Sequence, residues 1–176
     1  MKHITESKAI EILRKHADSE KSFQHVLAHV KAVQTVSLRI ASQCHSPLDT
    51  ELIRIGSLLH DIGRFAKLTG KERIRHGIIG ADILRREGLP EEYARICERH
   101  IGVGIKKEDI IKQGLPLPVQ DYVPVSKEEK IIAHVDNLVF GSEEKTFQDV
   151  LDRFAKELGE DYVRRAKELK REIESF

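Results

Sequence analysis

The sequence contains no tryptophan, one methionine (the first residue), two cysteines and five prolines in 176 residues. Cys44 and Cys97 form no CxxC pair, so neither a disulfide framework nor a thiolate zinc knuckle is available, and any metal must be held by histidine and carboxylate. Excess charge is also lacking. Lys and Arg number 30 against 29 Asp and Glu, a formal net charge of +1, which gives no electrostatic reason for gross attraction to nucleic acid or a membrane surface. No run approaches the roughly 18 apolar residues of a membrane span, and the opening MKHITESKAI lacks the apolar stretch of a secretory signal. A cytoplasmic protein with no membrane partner is expected. There is no GxxxxGK[ST] loop to hold a nucleoside triphosphate, and no Ser or Cys nucleophile set beside an orienting histidine. Asparagine occurs once, at Asn137, and 34% of residues are charged, a balance leaning towards a thermophilic source.

What is present suffices for one domain over residues 1–176. Hydrophobic residues make up 40% of the chain, and their spacing is helical nearly throughout. A short amphipathic helix is predicted at about 6–17, carrying Ala9, Ile10, Leu13 and Ala17 and packing as a lid. Ser22 then caps a longer helix with the stripe Val26, Val30, Val33, Val36 and Ile40, ending before Ser46-Pro47. A third starts at Asp49 or Thr50, with Gly63 as its stop just after His60-Asp61. Further helices carry Ile79, Ile83 and Leu84 up to Gly88, then Tyr93, Ile96, Cys97 and Ile101 after Pro90. Residues 106–125, with Pro116, Pro118 and Pro124, read as a long irregular loop in which Glu108 to Lys112 could form one turn; its Asp121 and Tyr122 could cover a substrate, although such proline-rich connections are also ordinary spacers. Ser126 with Glu129 reads as a capping box for a helix through Val139, and helices at about 146–158 and 161–173 follow, split at Gly159. No strand alternation, repeat or linker interrupts this pattern, so the fold class predicted is an all-α bundle.

Periodicity also exposes ionisable side chains in the wrong place. His29, His76, His100 and Asp136 each fall on or beside an apolar helical stripe. Singly, each is most simply a hydrogen-bonded core histidine or a buried capping carboxylate. Together with His60-Asp61 they put four imidazoles and two carboxylates into one small core, where each uncompensated burial costs several kcal/mol. A cation removes that conflict. Nitrogen and oxygen donors without thiolate suit one or two ions of Fe, Mn, Co, Ni or Zn, with Mg possible but disfavoured by so many histidines. His25 and His29 share a helix face as HxxxH without the acidic base of HExxH, so His25 is expected at a polar position. His3, His16, His45 and His134 are expected at the surface.

The order His29, His60-Asp61, Asp136, with the doublet extended as His60-Asp61-Ile62-Gly63, resembles the HD-domain superfamily of metal-dependent phosphohydrolases over roughly residues 22–140. The flanking helices lie outside the resemblance, which is nearest in character to small archaeal HDIG-type proteins. It implies that His29, His60, Asp61 and Asp136 bind one metal, and that His76 and His100 hold a second with Asp61 bridging the pair. The departures are Arg64, where the family often has Lys, and His134-Val135 ahead of the late aspartate; neither removes a ligand. The activity implied is hydrolysis of a phosphate mono- or diester, of a nucleotide or dinucleotide, by a metal-activated hydroxide. Asp61 and Arg64 would be catalytic, and Arg64, Arg73 and Arg75 would meet substrate phosphate. Two other readings stay open here: a di-iron oxygenase of the same superfamily, and a non-catalytic nucleotide-sensing module. A small-molecule partner is expected, and an oligomer is compatible with the sequence.

Overall fold

The computed structural model describes residues 4–176, so His3 lies outside the described residues. The chain runs α1 (Glu6–His16), α2 (Glu20–Ala41), α3 (Thr50–Leu59), two 3₁₀ turns (Ile62–Phe65 and Gly70–Arg75), α4 (His76–Arg86), α5 (Glu91–Arg99), α6 (Lys107–Gln113) and α7 (Lys127–Leu138). A two-residue antiparallel hairpin, β1 (Val139–Phe140) against β2 (Glu143–Glu144), leads to α8 (Phe147–Glu157) and α9 (Glu160–Glu174). The class is all-α, as the periodicity predicts. Strand pairing is added by this hairpin, turned by Gly141 at φ 66° and too short to leave an alternating pattern in the sequence, and by a single bridge between Ile105 and Tyr122.

Capping chemistry sets the helix starts. Ser19, three residues before the expected Ser22, accepts a hydrogen bond from the Ser22 amide and caps α2, which brings Phe23 into the core. Asp49 accepts from the Leu52 amide at α3, and Ser126 accepts from the Glu129 amide at α7. The Glu129 carboxylate does not close a capping box. It accepts from the Val125 amide at 2.7 Å and pairs with Arg99 at 3.0 Å, joining α5 to α7.

The core is one cluster that draws on helices from α1 to α9, with α3 and α7 buried on most of their faces. Two expectations are corrected by it. The first helix is no lid: Ala9, Ile12 and Leu13 are buried in the main core, and α1 packs on α2 and α3. His134 is not at the surface. It is 7% exposed, its ring 5.6 Å from that of Phe147, and burial pushes its pKa down to about 4 with help from the Lys170 charge. Two residues along a helix do turn His134 away from Asp136, but α8 and α9 cover that second face, so α7 has little solvent side.

The proline-rich loop is more regular than expected: the turn expected at Glu108–Lys112 is the helix α6, and the rest is ordered around it. It contains α6 and a small core of its own, in which Ile105, Ile110, Leu117 and Tyr122 pack with Ile74, Ile78 and Ile101. Tyr122 pairs with Ile105 through backbone bonds of 2.8 and 2.9 Å, and Asp121 accepts from the Lys107 amide. Arg165 of α9, 6% exposed, ties this unit down through the Gly104 carbonyl at 2.5 Å and Asp109 at 2.8 Å. Asp121 and Tyr122 are thus spent on the loop's own structure.

Candidate metal centre

Three of the candidate histidines share one local device. His60 and His100 cap the C-terminal ends of α3 and α5, and His76 closes a 3₁₀ turn while opening α4. Each donates from Nδ1 to a carbonyl three residues earlier: His60 to Ser57 (2.7 Å) and His100 to Cys97 (2.8 Å) at the ends of their helices, and His76 to Arg73 (2.7 Å), whose carbonyl also accepts from the His76 amide. His29 does the same with the Gly141 carbonyl at 2.6 Å. A carbonyl cannot donate, so Nδ1 carries the proton in all four rings. In the neutral form every Nε2 is then a lone-pair donor aimed away from its own backbone.

The four Nε2 atoms converge on two carboxylates. His29 lies 2.9 Å from Asp136 Oδ1 and 3.4 Å from Asp61 Oδ2, while His60 lies 3.4 Å from Asp136 Oδ1 and 3.8 Å from Asp61 Oδ2. On the far side of the same carboxylate, His76 and His100 lie 3.4 and 3.3 Å from Asp61 Oδ1, their Nε2 atoms 3.1 Å apart. The donors form two sets, His29/His60/Asp61/Asp136 and Asp61/His76/His100, each within 4.8 Å, and they share Asp61.

That arrangement is unbalanced as bare protein. Asp61 and His60 are fully buried, and no well-aligned hydrogen bond reaches His60 Nε2 or either Asp61 oxygen, which meet only the Arg64 guanidinium and the imidazole nitrogens as charges or lone pairs. Two imidazole lone pairs facing each other at 3.1 Å repel unless a proton or a metal lies between them. Charge is managed only in part. Burial pushes the Asp61 carboxyl up, but the charge of His60, the approach of His100 Nε2 to 3.3 Å and the charges of Arg64 and His76 hold it well below the usual carboxylate range. Burial likewise opposes charge on His29, yet its hydrogen bond to Asp136 and the two carboxylate charges raise it to about 8. His76, with burial dominant, falls to about 4. The donor set, all nitrogen and oxygen, fits divalent metal at both places, and a cation on either side of Asp61 would satisfy the orphaned atoms.

The basic residues divide. Arg64 does not hang free beside the doublet: its Nε forms an ion pair with Asp61 Oδ2, although its side chain is still 51% exposed. Arg73 is exposed and Arg75 turns to Glu72 at 3.0 Å. Two cavities open over the centre. One, of about 560 Å³, is lined by His25, His29, Asp61, Arg64, His76, His100 and Asp136 on one side and by β1 and α8 on the other. The second, of about 480 Å³, has Ser22, Leu68, Arg73 and Ile74 in its wall and shares His25, Val26, Arg64 and His76 with the first. His25 is thus exposed at the junction of the two. Sequence reasoning missed Phe140, Arg153, Phe154, Glu157 and Leu158 in the wall, because nothing in a helical stripe says which cavity its edge borders.

Comparison with known proteins completes this picture. The model of the HD domain family matches residues 26–141. The chain belongs to the HD-domain family. An uncharacterised protein of Methanocaldococcus jannaschii is 44% identical over 155 residues, covering 88% of this chain and 87% of that one. A tRNA (cytidine(56)-2'-O)-methyltransferase of Thermoplasma volcanium is 39% identical over 164 residues, 93% of this chain but only 45% of that longer protein. Among solved structures, the HD domain of the L. monocytogenes phosphodiesterase PgpH superposes with a TM-score of 0.55 over 92% of this chain and 94% of that one. At 18% identity that likeness establishes a shared HD fold. Among the described residues no helix is long and apolar enough to cross a membrane.

Proposed function

We propose that this HD domain is a metal-dependent phosphohydrolase that cleaves a phosphoester of a nucleotide or dinucleotide, with His29, His60, Asp61 and Asp136 holding one divalent ion and Asp61, His76 and His100 a second. The observation that carries the reading is one fully buried carboxylate, Asp61, offering one oxygen to each of two converging histidine sets. Divalent ions held there would supply Lewis acidity to a phosphoryl oxygen and lower the pKa of a water molecule.

The chain's own part is positioning. The Nδ1 bonds fix each ring so that Nε2 has one direction, which preorganises the site at no cost on binding. Arg64, half exposed with only Nε committed, keeps its terminal N–H groups for a phosphate oxygen at the cavity mouth. Arg73 offers a further cation in the adjoining cavity. That a structure of the PgpH HD domain holds cyclic-di-AMP supports a nucleotide ligand for this fold. The methyltransferase name belongs to a relative of which this chain spans less than half, and it adds no second reading of this cavity.

The test is a panel of phosphomonoesters, nucleotides and dinucleotides offered to the full chain loaded with Mn, Co, Ni or Mg. Hydrolysis that chelator removes and metal restores is expected. Absence of hydrolysis across the whole panel, with metal demonstrably bound, would overturn the assignment.

A further inference from the structure

The larger cavity has a wall that the family match does not reach. Residues 26–141 carry the candidate ligands, whereas α8 supplies Arg153, Phe154 and Glu157, with Leu158 just beyond it. Arg153 has no carboxylate partner among the described residues, in a chain where most arginines have one. Its guanidinium carbon lies 4.4 Å from the Phe140 ring centre and 5.2 Å from that of Phe154. Its Nη2 makes only long contacts, 3.5 Å to the Asn137 carbonyl and 3.4 Å to Asn137 Oδ1. Asn137 is itself fixed, donating to Gly102 at 2.6 Å and Ala133 at 2.8 Å. The two rings therefore pack against the guanidinium while most of its N–H donors stay available.

Two neighbours narrow what those donors would meet. Glu157, one turn on, is exposed and borders the same cavity, so a bare phosphate beside Arg153 would face a negative charge. Leu158 is 44% exposed, and the other exposed large apolar side chains, Ile111, Val119 and Val125, border neither cavity. A planar fork of donors, an acceptor pair on the next turn and an open apolar surface match the edge and face of a base better than a second phosphate.

We propose that α8 makes this wall a guanine subsite, in which Arg153 donates to O6 and N7, Glu157 accepts from N1–H and the amino group, and Leu158 covers the ring. It deepens the phosphoester reading of the same cavity and rests on it: the base sits against α8 and the phosphate over the metal centre. The volume of about 560 Å³ is ample for one nucleotide.

Titration calorimetry on the Mn-loaded full chain with GMP, AMP and inorganic phosphate tests it. GMP should bind roughly tenfold or more tightly than AMP, the discrimination of one bidentate Arg–guanine pair. Arg153→Ala should abolish that preference and leave phosphate affinity unchanged. Arg153→Lys should fail to restore it, because an ammonium keeps the charge and loses the fork. Glu157→Gln, at an exposed position that leaves folding intact, should weaken GMP several-fold and not AMP. Equal wild-type affinity for GMP and AMP, rescue by Arg153→Lys, or a parallel loss of phosphate binding would each overturn the subsite. The two proposals fail separately: a GMP preference without hydrolysis anywhere sinks the phosphohydrolase, and hydrolysis without base preference sinks the subsite.

Discussion

Gly63→Ala should damage the candidate metal centre although Gly63 is not itself a candidate ligand. A Cβ at Gly63 would lie 1.9 Å from the His76 carbonyl oxygen and 2.7 Å from the Gly80 amide nitrogen, both backbone atoms. A relaxed contact needs about 3.5 Å, so the Ile62–Phe65 turn and α4 would have to part by more than about 1 Å. Overpacking costs typically 1–3 kcal/mol, and the upper end applies where no flexible side chain can yield. For a protein of this size about 3 kcal/mol lowers Tm by roughly 6–12 °C. The displacement falls on His76, which opens α4, and not on His29, His60 or Asp136. Thermal melts followed by circular dichroism, with metal analysis of the same samples, should show the lower Tm together with selective loss of the His76/His100 site. Gly70→Ala is the control, since it has open space around its Cβ and only the backbone strain of φ 53° to bear, and it should cost about 1–2 kcal/mol with no loss of metal. A Gly63→Ala protein that melts within 2 °C of wild type and keeps its full metal content would refute the argument that this close approach positions His76.

Three further outcomes follow from other residues. His134 is held at about 4 by burial, against 6.5 for the free side chain, so the fold favours its neutral form; its contribution is complete above pH 6.5 and fades as pH falls towards about 4. Across that window wild type should lose up to about 3 kcal/mol relative to His134→Leu, at 1.36 kcal/mol per pH unit, and parallel stability curves would contradict this. Arg64→Ala should lower the stability of metal-free protein by about 1–2 kcal/mol, a discounted value because Arg64 is half exposed, and leave metal-loaded protein nearly unchanged, since a cation then neutralises Asp61. An equal drop in both forms would make Arg64 a general structural residue. Asp61→Asn should abolish hydrolysis and weaken both ions while keeping the helical spectrum, and wild-type turnover in that variant would remove Asp61 from the chemistry.

How far the sequence was legible depends on how local each determinant is. The helices read well because period and caps are short-range, and the ligand candidates stood out because ionisable side chains on an apolar stripe contradict their surroundings. Gly63 was legible as a helix stop for the wrong reason: α3 ends at Leu59, and the glycine serves the contact with α4, a relation between distant segments. His134 was misplaced because its exposure depends on whether α8 and α9 fold back over α7. The ion pair of Arg64 with Asp61 was not legible, because it runs through a 3₁₀ turn that periodicity does not predict. The α8 wall was invisible for the same reason as His134, since only tertiary docking brings Arg153 beside Phe140.

The shared role of Asp61 is tested most directly by counting metal. Elemental analysis of the full chain, reconstituted with Mn or Co and freed of loose ions, should give two ions per chain for wild type, one for the double variant His76→Ala/His100→Ala, and fewer than one for Asp61→Asn. Two ions retained in the double variant, or one ion in wild type unaffected by Asp61→Asn, would contradict a centre built on that carboxylate.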